Sequence, residues 1–142
     1  MEEKENQDPE AQYFKPSGYK VESVLLLESS FSKQTDIDFN IHGINHEIEV
    51  KPTAHETAPD NKFVVTLNLL YRGIYEQKEM CTANITMIGV FEKYGDPALS
   101  EDKFKAINAP AIIYPFIREH LFNLCLKSGI ANVLLPTVNF KP

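Results

Sequence analysis

The stretch Lys62–Arg72 reads KFVVTLNLLYR, and its side chains fall into two interleaved sets. Phe63, Val65, Leu67, Leu69 and Tyr71 form one, and Val64, Thr66, Asn68, Leu70 and Arg72 the other. A period of two is that of a β-strand, whose successive side chains point to opposite faces. Gly73 follows as the expected turn. Tyr75–Phe91 then returns as a longer strand, with Met80, Thr82, Asn84, Thr86, Ile88 and Val90 on one face and Cys81, Ala83, Ile85, Met87, Gly89 and Phe91 on the other. Gly89, inside that strand, marks a bulge or a close backbone approach. Two strands joined by a short turn pair antiparallel.

Upstream, Ala58-Pro59-Asp60-Asn61 supplies turn chemistry, and Glu47–His55 reads as another strand carrying Ile48 and Val50. Pro52 either weakens that strand or places it at a sheet edge, because proline has no N–H for a ladder. Between Ser32 and Asn45 the polar residues Gln34, Asp36, Asp38 and Asn40 alternate with Ile37, Phe39 and Ile41, which predicts a long crossover with one apolar side. Before it, Tyr19, Val21, Ser23, Leu25 and Leu27 alternate with Lys20, Glu22, Val24, Leu26 and Glu28, a strand apolar on both faces in its second half. Residues 1–18 offer only Tyr13 and Phe14 as apolar mass and read as a loose acidic arm, because so little burial cannot offset ordering entropy.

Downstream, Ser100-Glu101-Asp102 can cap a short helical turn, and the main helix is expected from Asn108-Ala109-Pro110. Ile113, Phe116, Ile117, Leu121, Leu124 and Cys125 form a stripe at helical spacing that stops at Gly129. Pro115 either starts the helix one turn later or kinks it. Ile130–Pro142 reads as an extended segment packed on the body. The fold class is therefore α+β: a four-stranded antiparallel sheet, a long crossover after the first strand and one main C-terminal helix, all within a single domain over 19–142. One helix covers one sheet face, yet both faces of the third and fourth strands carry apolar residues. The uncovered face therefore predicts self-association or a binding surface.

Hydrophobic residues make up 43% of the 142 and charged residues 24%, which suits one domain with one core. The net charge of −6 opposes phosphate backbones and anionic lipid, so neither nucleic acid nor membrane is an expected partner. Charge is unevenly placed: residues 1–103 hold ten basic and nineteen acidic side chains, and residues 104–142 four and one. No apolar run approaches the roughly 20 residues of a spanning helix, and the acidic start Met1-Glu2-Glu3 is unlike a signal peptide, so a cytoplasmic location is expected.

The chemistry-bearing residues do not assemble a catalytic pattern. His42 and His46 are four apart, a metal spacing only on a helix, and Gly43 argues against helix there; His55 and His120 are isolated, and no metal site is expected. Cys81 and Cys125 lack ligand spacing and read as buried thiols. No Gly-rich phosphate loop and no Gly-x-Ser-x-Gly elbow is present. Neither an enzymatic activity nor a cofactor is expected. A small enzyme pairing Cys81 or Cys125 with His120 is the competing reading from another class.

The run Asn108-Ala109-Pro110-Ala111-Ile112-Ile113-Tyr114-Pro115-Phe116-Ile117-Arg118-Glu119, then Gly129, then Leu135-Pro136-Thr137-Val138-Asn139-Phe140, resembles the SecB export-chaperone family. Outside this C-terminal third the order of elements over 19–140 also fits. The resemblance implies an ATP-independent holdase that keeps unfolded preproteins translocation-competent, assembled as a homotetramer, a dimer of dimers. It places a client-binding groove at Phe39 and Ile41 on the crossover, Ile48 and Val50 on the next strand, and Tyr114 and Phe116 at the helix start. It also implies docking of the motor SecA on an acidic sheet surface, where Glu28 matches one position while Ser32 and Asn84 stand where further carboxylates are expected. Where that family continues into a second helix and an acidic tail, this sequence stops at Pro142. A SecB-like chaperone dedicated to one partner, such as the antitoxin of a toxin–antitoxin pair, is the alternative within the same fold.

Overall fold

The structure is a computed structural model that describes residues 16–35, 43–130 and 133–141. Four strands, β1 (Gly18–Lys33), β2 (Asn45–Ala54), β3 (Lys62–Tyr75) and β4 (Lys78–Tyr94), form one antiparallel sheet in the order β1-β4-β3-β2. A short helical turn (Glu101–Lys103) and a π-helical stretch (Phe104–Asn108) lead into the helix α1 (Ala109–Lys127). The Ser100 side chain accepts from the Lys103 N–H at 3.3 Å and caps that entry.

The odd-numbered face of β3 and β4 is the core. Phe63 pairs with Phe91, Leu67 with Met87, Leu69 with Ile85 and Tyr71 with Ala83, and all eight are buried. Ile113, Ile117, Leu121 and Cys125 close over them, each fully buried and four residues from the next, the spacing that keeps one helical stripe on a sheet. Gly89 lets the layers touch: a Cβ there would lie 2.7 Å from the Phe91 ring and 3.0 Å from Ile113 Cδ1. The β3–β4 register runs unbroken through Gly89, so the glycine marks a close approach and not a bulge. At one end Tyr19 stacks on Phe104 with ring centroids 4.1 Å apart, and Phe63 and Phe91 complete the cluster.

Three local expectations are corrected. The hairpin turns at Glu76-Gln77, both at positive φ (50° and 64°), not at Gly73. Such a two-residue turn matches strand twist, and Glu-Gln carries none of the usual Asn-Gly signal for it. Gly73 lies inside β3, at a register shift, where a Cβ would meet Cys81 Sγ at 2.8 Å and the Tyr71 hydroxyl at 2.9 Å. Second, β1 does not alternate strictly. Register shifts between Val21 and Ser23 and between Leu26 and Glu28 put Val24, Leu26, Ser29 and Phe31 on the helix side, and Ser23, Leu25 and Glu28 on the open side. Third, of the two alternatives at Pro115 the later start is excluded: α1 begins at Ala109, as expected, and runs through the exposed proline.

Past Gly129 (φ 87°) the described residues 133–141 are neither helix nor strand, and Ile130, Val133 and Leu135 are buried. The Tyr114 hydroxyl donates to Pro136 O at 2.7 Å and holds this segment along the helix.

Candidate binding surfaces

β2 is an edge strand. Its even-numbered residues face the helix side, with Ile48 opposite Tyr71 and Val50 opposite Leu69. Both are half-buried and pack on the margin of the core, so the edge presents two aliphatic side chains beside a backbone that no other strand among the described residues pairs on its outer side. His46 begins the same row: its ring stacks on Tyr71 at 5.7 Å between centroids, and its Nδ1 lies 2.8 Å from the Tyr71 hydroxyl. Burial pushes the His46 imidazole below its ordinary value and the Tyr71 hydroxyl well above its own.

The helix residues expected beside this row part company. Tyr114 is 4% exposed; its ring meets Phe140 edge-on at 6.1 Å and carries the Arg118 guanidinium at 5.5 Å from its centroid. Phe116, two residues on, is 48% exposed on the outer side of α1. The structure thus brings Ile48 and Val50 together, uses Tyr114 as the anchor of the C-terminal segment, and turns Phe116 away from the sheet. Phe39 and Ile41 lie outside the described residues.

A feature the sequence reading missed sits on that outer side. Pro115, Arg118, Glu119 and Phe122 of α1 and Leu134 and Leu135 of the C-terminal segment line an open groove of about 410 Å³. The signal was available, since Pro115, Phe122 and Leu134 are bulky residues that the buried stripe leaves unused; Leu134 is 78% exposed.

The open sheet face is divided. Leu25 faces Ile88 and Val64 faces Val90, which makes one end apolar. In the middle the Asn68 amide donates to Asn84 Oδ1 at 2.8 Å and Thr86 Oγ1 at 2.7 Å, a neutral hydrogen-bonded cluster. Glu28, exposed, stands opposite Thr86, and Ser32 opposite Thr82. Arg72 bridges Glu47 and Glu79 at the far end. Among the described residues the apolar side chains of this face gather at the end marked by Leu25 and Val64, and Leu70, 41% exposed opposite Asn84, stands apart from them. The Leu25-Leu26-Leu27 run of the edge strand β1 adds to the apolar surface, at 53%, 46% and 58% exposure.

The titratable groups are placed for structure. Cys81 and Cys125 are fully buried free thiols, and burial pushes Cys125 up to about 12, where a thiolate nucleophile does not form near neutrality. The nearest polar partner of His120 Nε2 is the Ser29 hydroxyl at 2.8 Å, a bond that ties β1 to α1. Among the described residues no three His, Cys, Asp or Glu side chains cluster as metal ligands, and no helix is long and apolar enough to cross a membrane.

A family model described as "Preprotein translocase subunit SecB" matches residues 21–142. The chain is 27% identical over 120 residues to the protein-export protein SecB of Anaplasma phagocytophilum, spanning 82% of this chain and 75% of that one. It is 24% identical over 127 residues to the protein of the same name from Saccharophagus degradans, spanning 88% and 76%. Its fold matches, with a TM-score of 0.73 at 19% identity, a Mycobacterium tuberculosis SecB-like chaperone solved in complex with a ChAD peptide from the HigA1 antitoxin, over 84% of this chain and 90% of that one. Four antiparallel strands under one C-terminal helix are common to both folds, and the chain belongs to the SecB family of chaperones.

Proposed function

We propose that this chaperone is an ATP-independent holdase that binds extended, non-native segments of preproteins and keeps them competent for export. The observation that carries the reading is the β2 edge, where Ile48 and Val50 lie half-buried beside a backbone that, among the described residues, no strand pairs on its outer side. Burying apolar client side chains there contributes about 25 cal/mol per Å², and backbone pairing adds directionality without any nucleotide. Phe39 and Ile41 of the crossover and Tyr114 and Phe116 of α1 complete the proposed client contacts. The exposed leucines of β1 and the outer groove of α1 supply surface for a homotetramer, a dimer of dimers, in the cytoplasm.

A second reading, a chaperone dedicated to one partner, is favoured by the open face. Glu28 is the acidic residue proposed to contact SecA, but Ser32, Asn68, Asn84 and Thr86 keep the middle of that face neutral, which gives a basic docking module little to hold. The similar M. tuberculosis fold was solved with an antitoxin peptide.

Light scattering of a refolding, aggregation-prone client tests holdase activity. Suppression at stoichiometric chaperone without nucleotide is expected, and undiminished scattering would retire the proposal. Parallel titrations with preprotein and antitoxin segments separate the two readings: similar affinities mark the general holdase, and a strong preference for one antitoxin segment marks the dedicated chaperone.

A further inference from the structure

The free edge of β2 has a definite pattern of donors. Its register with β3 is unbroken from Asn45 opposite Ile74 to Ala54 opposite Val65, and one step further the His55 N–H donates to Val64 O at 3.2 Å. In an antiparallel ladder, residues that bond their opposite partner alternate with residues whose N–H and C=O point away from it. Asn45, Glu47, Glu49, Lys51 and Thr53 therefore bond β3, while the backbones of His46, Ile48, Val50, Pro52 and Ala54 face outward. Among the described residues no strand lies on that side. The outward row thus offers N–H donors at His46, Ile48 and Val50, is interrupted at Pro52, which has none, and resumes at Ala54.

We propose that Pro52 is the stop that sets the register and length of a bound client strand; this rests on the client-binding reading above. An extended segment adds to the edge by bonding the outward groups of Ile48 and Val50 and ends at Pro52. Side chains opposite Ile48 and Val50 fall on the helix side, beside apolar neighbours, while the one between them falls on the open side opposite Glu49. The edge therefore selects a short segment with apolar residues two apart and a basic or neutral residue between them. An acidic residue at that position faces the Glu49 carboxylate and is disfavoured. The interruption also denies the edge a long continuous ladder, the template on which sheet edges otherwise join.

Amide hydrogen exchange on the full chain tests the proposal, with two fluorescent probe peptides of alternating Val and Lys or alternating Val and Glu. The Val–Lys peptide is expected to bind the more tightly, to slow the Ile48 and Val50 amides by about tenfold or more, and to leave Ala54 unprotected. In Pro52→Thr, which adds a donor on the open side of an edge strand, protection extends through positions 52 and 54 and affinity rises severalfold. Protection of Ala54 in the native chain, or an unchanged footprint in Pro52→Thr, overturns the proposal. So do unprotected Ile48 and Val50 amides while fluorescence anisotropy reports the peptide bound. Anisotropy and client light scattering on the same samples report the holdase reading separately: when both are silent, that reading has failed, and when both respond without the expected footprint, only the role of Pro52 has.

Discussion

Replacing Gly89 by alanine probes the contact that joins helix to sheet. The new Cβ falls 2.7 and 2.8 Å from two atoms of the Phe91 ring and 3.0 Å from Ile113 Cδ1, distances at which something must move. Phe91 cannot yield easily, because it is fully buried with Phe63 5.6 Å and Phe104 5.4 Å from its ring centroid. Ile113 Cδ1 is the end of a flexible side chain, but it is fully buried, so its shift presses on the neighbouring core. Overpacking of this kind costs about 1–3 kcal/mol, a drop of several degrees in Tm for a chain of this size. Urea and thermal unfolding followed by far-UV circular dichroism measure it. The double variant Gly89→Ala/Ile113→Val removes the Cδ1 atom in the way. Ile113→Val alone costs about 0.5–1.5 kcal/mol, and the two losses are expected to combine to less than their sum. Gly89→Ala within about 0.5 kcal/mol of the native chain, or strict additivity in the cycle, would refute the close approach of the two layers.

Val50→Asp, alone or with Phe39→Asp, is expected to weaken suppression of client aggregation while the far-UV spectrum is unchanged; full suppression by both variants removes the β2 edge from the client site. Burial depresses the His46 pKa from the ordinary 6.5, so the unfolded chain takes up a proton first as pH falls. The stability owed to neutral His46 is complete above pH 6.5 and is lost on acidification through its lower folded-state value. Urea midpoints from pH 7.5 downward should show that loss, and His46→Gln should flatten it; identical pH profiles would contradict the assignment. Tyr114→Phe removes the bond to Pro136 O and is expected to cost about 0.5–1.5 kcal/mol and to speed amide exchange in residues 133–140. Unchanged exchange there would show that burial of Val133 and Leu135 alone holds the segment.

The fold was legible where one periodicity ran long enough. β3 and β4 announced themselves by two-residue alternation, and α1 by the stripe from Ile113 to Cys125. β1 was harder, because three consecutive leucines give no sign of which residue a bulge absorbs; the register with β4 decides it. The hairpin was misplaced because Gly73 is the stronger turn signal, although the glycine is needed where Cys81 and Tyr71 crowd the backbone. Within the proposed site, Ile48 and Val50 came from the resemblance to the SecB family, and the strand pattern of Glu47–His55 supplied only their shared face. The opposite environments of Tyr114 and Phe116 were not legible, because the partner that buries Tyr114, the segment through Pro136 and Phe140, reaches it only in the folded chain. The outer groove needed the same return of the chain to bring Leu134 and Leu135 beside Pro115 and Phe122.

A lone protomer leaves apolar strand and helix surface exposed among its described residues, and we propose that this surface joins sister subunits and holds unfolded polypeptide. Sedimentation velocity of the purified protein, with and without a labelled, permanently unfolded polypeptide, tests both halves in one measurement. The expected result is an assembly several times the 16.2 kDa of one chain that carries the label with it when no nucleotide is present. A 16.2 kDa monomer that sediments apart from the label would contradict the claim.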